Sequence, residues 1–303
     1  MNYLFETVTC NICGSDDFDM LIEKAQFGLP AHVGLCRTCG LGYLNPRWDN
    51  ASYLNFYMYK YDKYYRPGIL KKAPGAGSKE NPIITRFKQK SLLPKEVSNI
   101  LDIGSGGGAN LEAFHTQFPD AALFAIEPSL ESQKHLTTLG ATLISDNVDS
   151  DWHNGHEAKF DIIIMRHVLE HFLDPLEVLK KVKSVLNPEG VLYIAVPNNL
   201  KPNQNMRNTW FRSVHVYYFN RFSLSNILRL TGLDALEIIE GDEHNQGELV
   251  ALIKTAKNAE APSFHKEHYI TQKSIFEQRL KEEDRPLSKA AFYLKTIIRK
   301  LLG

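Results

Sequence analysis

The stretch Asn99-Ile100-Leu101-Asp102-Ile103-Gly104-Ser105-Gly106-Gly107-Gly108-Ala109-Asn110 constrains this chain more than any other. An apolar run ends in an acid and a glycine-rich turn, and helical periodicity follows over residues 109–118. The pattern predicts strand, turn and helix. Glycines at 104, 106 and 108 let the backbone bend tightly and let a ligand reach the amides with no Cβ in the way. The helix N-terminus then turns free N–H groups and the positive end of its dipole toward that ligand. A glycine turn alone is weak, since turns and caps use glycine too. Here a second strand pattern at 122–126 ends in Glu127. An acid at that strand tip, about 20 residues beyond the turn, is where doubly wound folds hydrogen-bond the ribose hydroxyls of a nucleotide.

The alternation continues. A helix over 129–139 is stopped by Gly140, and a short strand at 141–144 leads to Ser145, Asp146 and Asn147. A polar side chain and an amide at such a strand end can read an adenine edge; a plain turn is the simpler use of the same residues. Residues 160–165 form an unbroken apolar strand, as buried parallel strands do. It ends in Arg166-His167-Val168-Leu169-Glu170-His171. Ligands of open α/β sheets bind outside the carboxyl ends of the strands, so this segment is expected to face the cleft. A helix over 175–186, a turn at 187–190, a strand at 191–196, a helix over 223–231 capped by Ser223, and strands at 233–239 and 248–255 complete the pattern.

All four cysteines lie in residues 1–50, as Cys10-x-x-Cys13 and Cys36-x-x-Cys39, 22 residues apart and each pair followed by glycine. That spacing matches a zinc knuckle pair with a slightly long middle. Four thiolates close a tetrahedral shell, a structural site with no open position for chemistry. A ribbon this small needs such a staple. Residues 51–97 are dense in tyrosine, a packing face in most settings and here also positioned to act as a lid, and residues 68–82 read as a mobile loop before a helix at 83–93. Residues 98–255 make the cofactor domain, and 256–303 a charged, partly helical tail. Its end, residues 286–303, carries an apolar helical stripe flanked by lysine and arginine, suited to docking on its own domain or a second subunit, or to lying on a membrane surface. Lys plus Arg and Asp plus Glu are 35 each, which argues against a nucleic-acid partner. No signal core and no membrane span are evident, so the reading is a cytoplasmic protein.

The Asp-x-Gly-x-Gly-x-Gly spelling of the turn, His-Val-Leu-Glu-His-x-x-Asp-Pro at 167–175, and Asn-Pro-Glu-Gly-Val-Leu-Tyr-Ile-Ala-Val-Pro-Asn at 187–198 resemble class I S-adenosylmethionine (SAM) dependent methyltransferases. The double CxxC front end resembles bacterial members that act on sugars in antibiotic or surface-polysaccharide pathways. The usual Pro-Gly-Gly before the fifth strand is Pro188-Glu189-Gly190, a departure at a turn. The resemblance implies an α/β fold: a Rossmann-like, doubly wound, mostly parallel seven-stranded sheet preceded by a small zinc ribbon. It implies SAM and one structural zinc as cofactors, with a small, sugar-type acceptor. The cofactor set it implies is Asp102, Gly104, Ser105, Gly106, Gly108, Asn110, Glu127, Pro128, Asp146, Asn147, Arg166 and His167. Methyl transfer from a sulfonium to a hydroxyl or carbon acid also needs a base, and histidine suits neutral pH. The candidates are His215, with Tyr218 beside it, and His167 and His171, four apart and so on one face if that turn is helical, with Glu170 orienting a histidine or binding an acceptor hydroxyl. His167-x-x-x-His171 lacks the glutamate of the HExxH zinc motif, which counts against a catalytic metal.

Overall fold

The computed structural model describes residues 3–24, 26–65, 81–157, 159–242, 245–255 and 260–285. The N-terminal region holds strands β1 (Phe5–Glu6), β2 (Phe18–Lys24), β3 (Pro30–Cys36), β4 (Gly42–Leu44) and β5 (Arg47–Trp48). β2, β3 and β4 pair antiparallel in series, and β1 pairs with β5. Helix α1 (Asn50–Tyr59) starts where the Asp49 side chain accepts from the Ser52 N–H, and α2 (Tyr61–Tyr65) follows. Tyr53 and Phe56 are buried against Trp48, their ring centroids each 5.3 Å from it. Helix α3 (Pro82–Gln89) is capped by Asn81 and has proline in its first turn. It ends four residues before the sequence pattern does, because Ser91 takes a left-handed φ of 54° that breaks the helical path.

The large sheet is built from β6 (Asn99–Ile103), α4 (Ala109–Gln117), β7 (Ala122–Ile126), α5 (Leu130–Leu139), β8 (Thr142–Ser145), β9 (Phe160–Arg166), α6 (Pro175–Val185) and β10 (Leu186–Pro197). Then come β11 (Tyr217–Tyr218), α7 (Arg221–Leu230), β12 (Leu233–Glu240), β13 (Glu248–Thr255) and α8 (Lys266–Glu283). Seven strands lie in the order β12-β13-β10-β9-β6-β7-β8, parallel except for the two pairings made by β13. β9, at the centre, buries Ile162, Ile163, Ile164 and Met165 completely, which explains its unbroken apolar run. The ends of α5 and α6 follow local chemistry. Ser129 caps α5, Asp174 caps α6 with Pro175 just inside, and Gly140 closes α5 in a left-handed conformation. The expected cap of α7 moves: Asn220 is the N-cap, and Ser223 completes a reciprocal capping box with it.

β11 does not join the large sheet. It adds to β4, so the small sheet runs β11-β4-β3-β2 and ties the region after the fifth parallel strand to the cysteine-bearing ribbon. α8 packs on that small sheet through Tyr269, Phe276 and Leu280. Its Tyr269 hydroxyl donates to Asp19 at 2.7 Å, and Lys273 pairs with the same carboxylate at 2.7 Å. Gly40 lies directly under α8, where a Cβ would meet the His268 carbonyl carbon at 2.6 Å. Of the loop expected at residues 68–82, residues 68–80 lie outside the described residues, as does the amphipathic stripe at 286–303, while Asn81 and Pro82 already belong to the start of α3. Among the described residues no helix is long and apolar enough to cross a membrane.

Candidate active site

Two cavities open at the carboxyl ends of β6, β7, β8 and β9, and they share Tyr61, Gly104, His167, Val168 and His171. The first spans about 1010 Å³, part of it open to solvent. Its floor is the glycine turn: Gly104 has φ +72°, and a Cβ there would strike Val168 Cγ1 at 2.2 Å. The turn and the segment after β9 therefore touch only because this residue has no side chain. Glu127, 2% exposed, lies beside the turn. Its carboxylate accepts from the Gly106 N–H at 2.7 Å and the Ser129 N–H at 2.9 Å. Asp102 lies beneath, 1% exposed, and accepts from Asn110 Nδ2 at 3.3 Å. Burial, with the charge of Glu127 adding to it, pushes the Asp102 carboxyl up to about 7 against the Asn110 hydrogen bond. Ser105 Oγ is buried in the turn with no hydrogen-bond partner among the described residues.

Of the cofactor residues expected from sequence, Gly104, Glu127, Pro128, Asp146, Asn147 and His167 line this cavity. Ser105, Gly106 and Gly108 form the turn itself, Asp102 and Asn110 brace it, and Arg166 lines the second cavity instead. α1 and α2 roof the first cavity with Tyr53, Tyr57 and Tyr61, so the tyrosine-rich stretch both packs and covers.

The second cavity encloses about 1240 Å³ and carries a polar lining that includes Arg166, Asn203, Gln204, Thr209, Arg212 and Asn245. His167 opens it. Its φ is +56°, an uncommon conformation for a residue with a side chain and one that marks strain. Its backbone N–H donates to the Ala195 carbonyl at 2.8 Å, and its Nε2 bonds Glu248 Oε1 at 3.0 Å. Glu248 is buried and also pairs with the buried Arg86 at 2.8 Å and with Arg166 at 3.3 Å. Burial works against the Glu248 charge, yet His167, Arg166 and Arg86 hold its carboxyl down at about 2. Burial alone would lower His167, but Glu170 and Glu248 overcome it and raise the imidazole to about 9. His167 is thus a cation at neutral pH and no proton acceptor.

His167 and His171 do not share a helix face. Only Leu169–His171 forms a tight 3-10 turn, and the two rings flank Glu170, at 3.6 Å from His167 Nδ1 and 3.9 Å from His171 Nε2. His171 Nδ1 is 2.8 Å from the Val214 carbonyl and 2.9 Å from the Tyr57 hydroxyl. A carbonyl only accepts, so Nδ1 carries the proton and Nε2 keeps its lone pair. His215 arrives from the loop before β11, its ring edge-on to His171 at 4.9 Å between centroids. Burial lowers both imidazoles, His215 furthest because Glu170 and the Val214 carbonyl oppose burial at His171 only. Both are neutral at pH 7. Tyr218 stays out of the cavities: its hydroxyl donates to the Arg212 carbonyl and accepts from the Arg212 N–H, both at 3.1 Å, so it braces the loop that carries Arg212 and His215. Sequence reasoning missed Glu248, which lies in the last strand, and Arg212; no local pattern marks either.

The four cysteines converge in the N-terminal ribbon, where Asn11 Nδ2 donates to Asp174 Oδ1 at 3.2 Å. Cys10 and Cys39 Sγ are 3.6 Å apart and Cys13 and Cys36 Sγ 3.4 Å, all four within 4.8 Å of one another and none disulfide-bonded. A tetrahedral zinc with Zn–S of about 2.3 Å sets sulfurs about 3.8 Å apart, so the group fits that ion.

A Rossmann-like α/β sheet with a covered cleft at its strand ends, opening into a polar pocket, is the layout of a nucleotide-cofactor fold. The chain belongs to the family described as "Methyltransferase domain", whose profile matches residues 79–238. A ubiquinone biosynthesis O-methyltransferase of Actinobacillus pleuropneumoniae is 30% identical over 126 residues, 39% of this chain and 53% of that protein. One from Haemophilus ducreyi is 32% identical over 127 residues, again 39% and 53%. The chain thus spans about half the length of these curated relatives. Among solved structures, the Burkholderia thailandensis 1,6-didemethyltoxoflavin-N1-methyltransferase, with 1,6-didemethyltoxoflavin and S-adenosylhomocysteine bound, matches at a TM-score of 0.52 and 16% identity, covering 72% of this chain and 96% of that one. That likeness is one of fold.

Proposed function

We propose that this protein is a SAM-dependent methyltransferase acting on an oxygen or carbon of a small polar molecule of the sugar type. One observation carries the reading: the cofactor-type cleft and the polar pocket meet at Gly104, His167, Val168 and His171, beside two imidazoles that burial keeps neutral. The relatives' names and the S-adenosylhomocysteine in the Burkholderia structure support SAM as the methyl source. Bound SAM supplies an electrophilic methyl group on a sulfonium.

The chain's own residues do the rest. Glu127 holds the ribose hydroxyls, and Asp146 and Asn147 contact the base. The tyrosine roof excludes water, so that nucleophile, methyl and sulfur can lie in line about 3 Å apart. His215 takes the acceptor proton as general base, and the cation on His167, fixed by Glu248, stays clear of that step. Amide-bearing Asn203, Gln204 and Asn245 suit a hydroxyl-rich acceptor. A phenolic acceptor is the second reading, favoured by Trp210 and Tyr61 in the same wall and by the relatives' O-methyltransferase names. The four-cysteine group is assigned to structural zinc. Replacement of His215 by alanine is expected to lower kcat at least 100-fold with SAM affinity unchanged. Stopped-turnover assays on sugar and catechol acceptors check this; an unchanged kcat removes His215 from the chemistry.

A further inference from the structure

We infer that Glu170, His171 and His215 form a binding site for a divalent transition-metal ion inside the acceptor pocket. Their donor atoms all lie within 4.8 Å of one another. The HxxxH spacing plays no part in this: His167 is committed to Glu248, and His171 pairs instead with a histidine 44 positions later in the chain.

Three observations converge. Glu170 is 1% exposed, and neither carboxylate oxygen has a hydrogen-bond partner among the described residues, the nearest charged group being His167 with its Nδ1 at 3.6 Å. A buried carboxylate left so is costly, and in a folded protein it calls for an occupant. His171 is held by the Val214 carbonyl at Nδ1, which turns the lone pair of Nε2 toward Glu170. That is the outer-shell arrangement that orients a metal-ligating histidine. His215 makes no side-chain hydrogen bond among the described residues, and its ring faces the edge of His171. The cluster therefore presents three acceptors to one another, and the donor that faces Glu170, His167 Nδ1, stays 3.6 Å away. A cation satisfies all three at once, whereas a water has protons for two and a hydroxyl for one.

Two imidazoles and one carboxylate with open positions suit zinc or a similar first-row ion. Closing on it at about 2.1 Å asks the donors to draw in by about 1 Å, within reach of side-chain rotation. The site opens on the second cavity, so the vacant positions face the acceptor. An acceptor hydroxyl on the ion ionises more readily. Its proton leaves to solvent, the oxygen bonds the methyl carbon, and the C–S electron pair returns to sulfur. In the ion-loaded protein His171 and His215 act as ligands; without the ion His215 takes the proton directly. The inference rests on the methyl-transfer reading for this role but not for binding.

The test is titration of the full chain, its ribbon cysteines loaded with zinc, with Co2+ alone. The expected result is one equivalent bound, with d–d absorption and no thiolate charge-transfer band. Glu170→Gln and His215→Gln each weaken it more than 10-fold, and Glu170→Gln leaves the melting temperature of the metal-free protein at or above that of the parent. Absence of d–d bands, a thiolate band alone, or variants that bind as tightly as the parent overturns the proposal. SAM titration in parallel separates the failures: loss of Co2+ binding with SAM bound refutes this site only, and Co2+ bound without SAM refutes methyl transfer only.

Discussion

At the scale of single residues, the site is assembled from groups whose charge states are set by what surrounds them. Three histidines within a few ångströms have opposite characters: His167 is charged because Glu170 and Glu248 face it, while His171 and His215 are neutral because burial dominates. Asp102 is the clearest case with a stability consequence. The folded protein holds its proton up to about pH 7, whereas the unfolded chain releases it near the ordinary 3.8. The folded state thus binds more protons between those values, and stability falls as pH rises through that window. The penalty is complete above pH 7 and of order 4 kcal/mol. Asp102→Asn removes it, so the variant should gain on the parent progressively from pH 4 to pH 8 in denaturant unfolding. A difference that does not change with pH contradicts this account of Asp102.

At the scale of elements, the ribbon is not a detached module. β3 carries Cys36 at its end, pairs with β4, and β4 accepts β11 from the loop that delivers His215. Loss of the metal should therefore be felt beyond the ribbon. Under the proposed zinc assignment, Cys36→Ser is expected to lose one zinc per chain by atomic emission and to speed amide exchange in β11 as well as in β3 and β4 by at least 10-fold, zinc coordination being a large part of such a unit's folding energy. A zinc-free chain with parent-like exchange would contradict it. The elements were largely legible in the sequence because their causes are local: the period-two and unbroken apolar runs, the glycine turn, and the Ser129, Asp174 and Pro175 start signals. Where the reading missed, the cause was local competition or distance. Ser223 and Asn220 both look like caps, and only the backbone decides between them. The pairing of β11 with β4, the Glu248 grip on His167, and the approach of His215 to Glu170 and His171 join residues 44 to 176 positions apart, and no spacing rule reaches that far.

At the scale of the whole molecule, the large sheet supplies a cofactor cleft, the tyrosine helices roof it, and the loop tied to the ribbon closes a polar pocket beside it. The account stands on the cleft holding SAM with Glu127 gripping its ribose. Glu127 is already fixed by the Gly106 and Ser129 amides, so its carboxylate needs no rearrangement to bind. Calorimetric titration of the parent and of Glu127→Ala with SAM tests this most directly. The account predicts one site in the parent and affinity at least 10-fold weaker in the variant. A parent that binds no SAM, or a variant that binds it equally well, would contradict it.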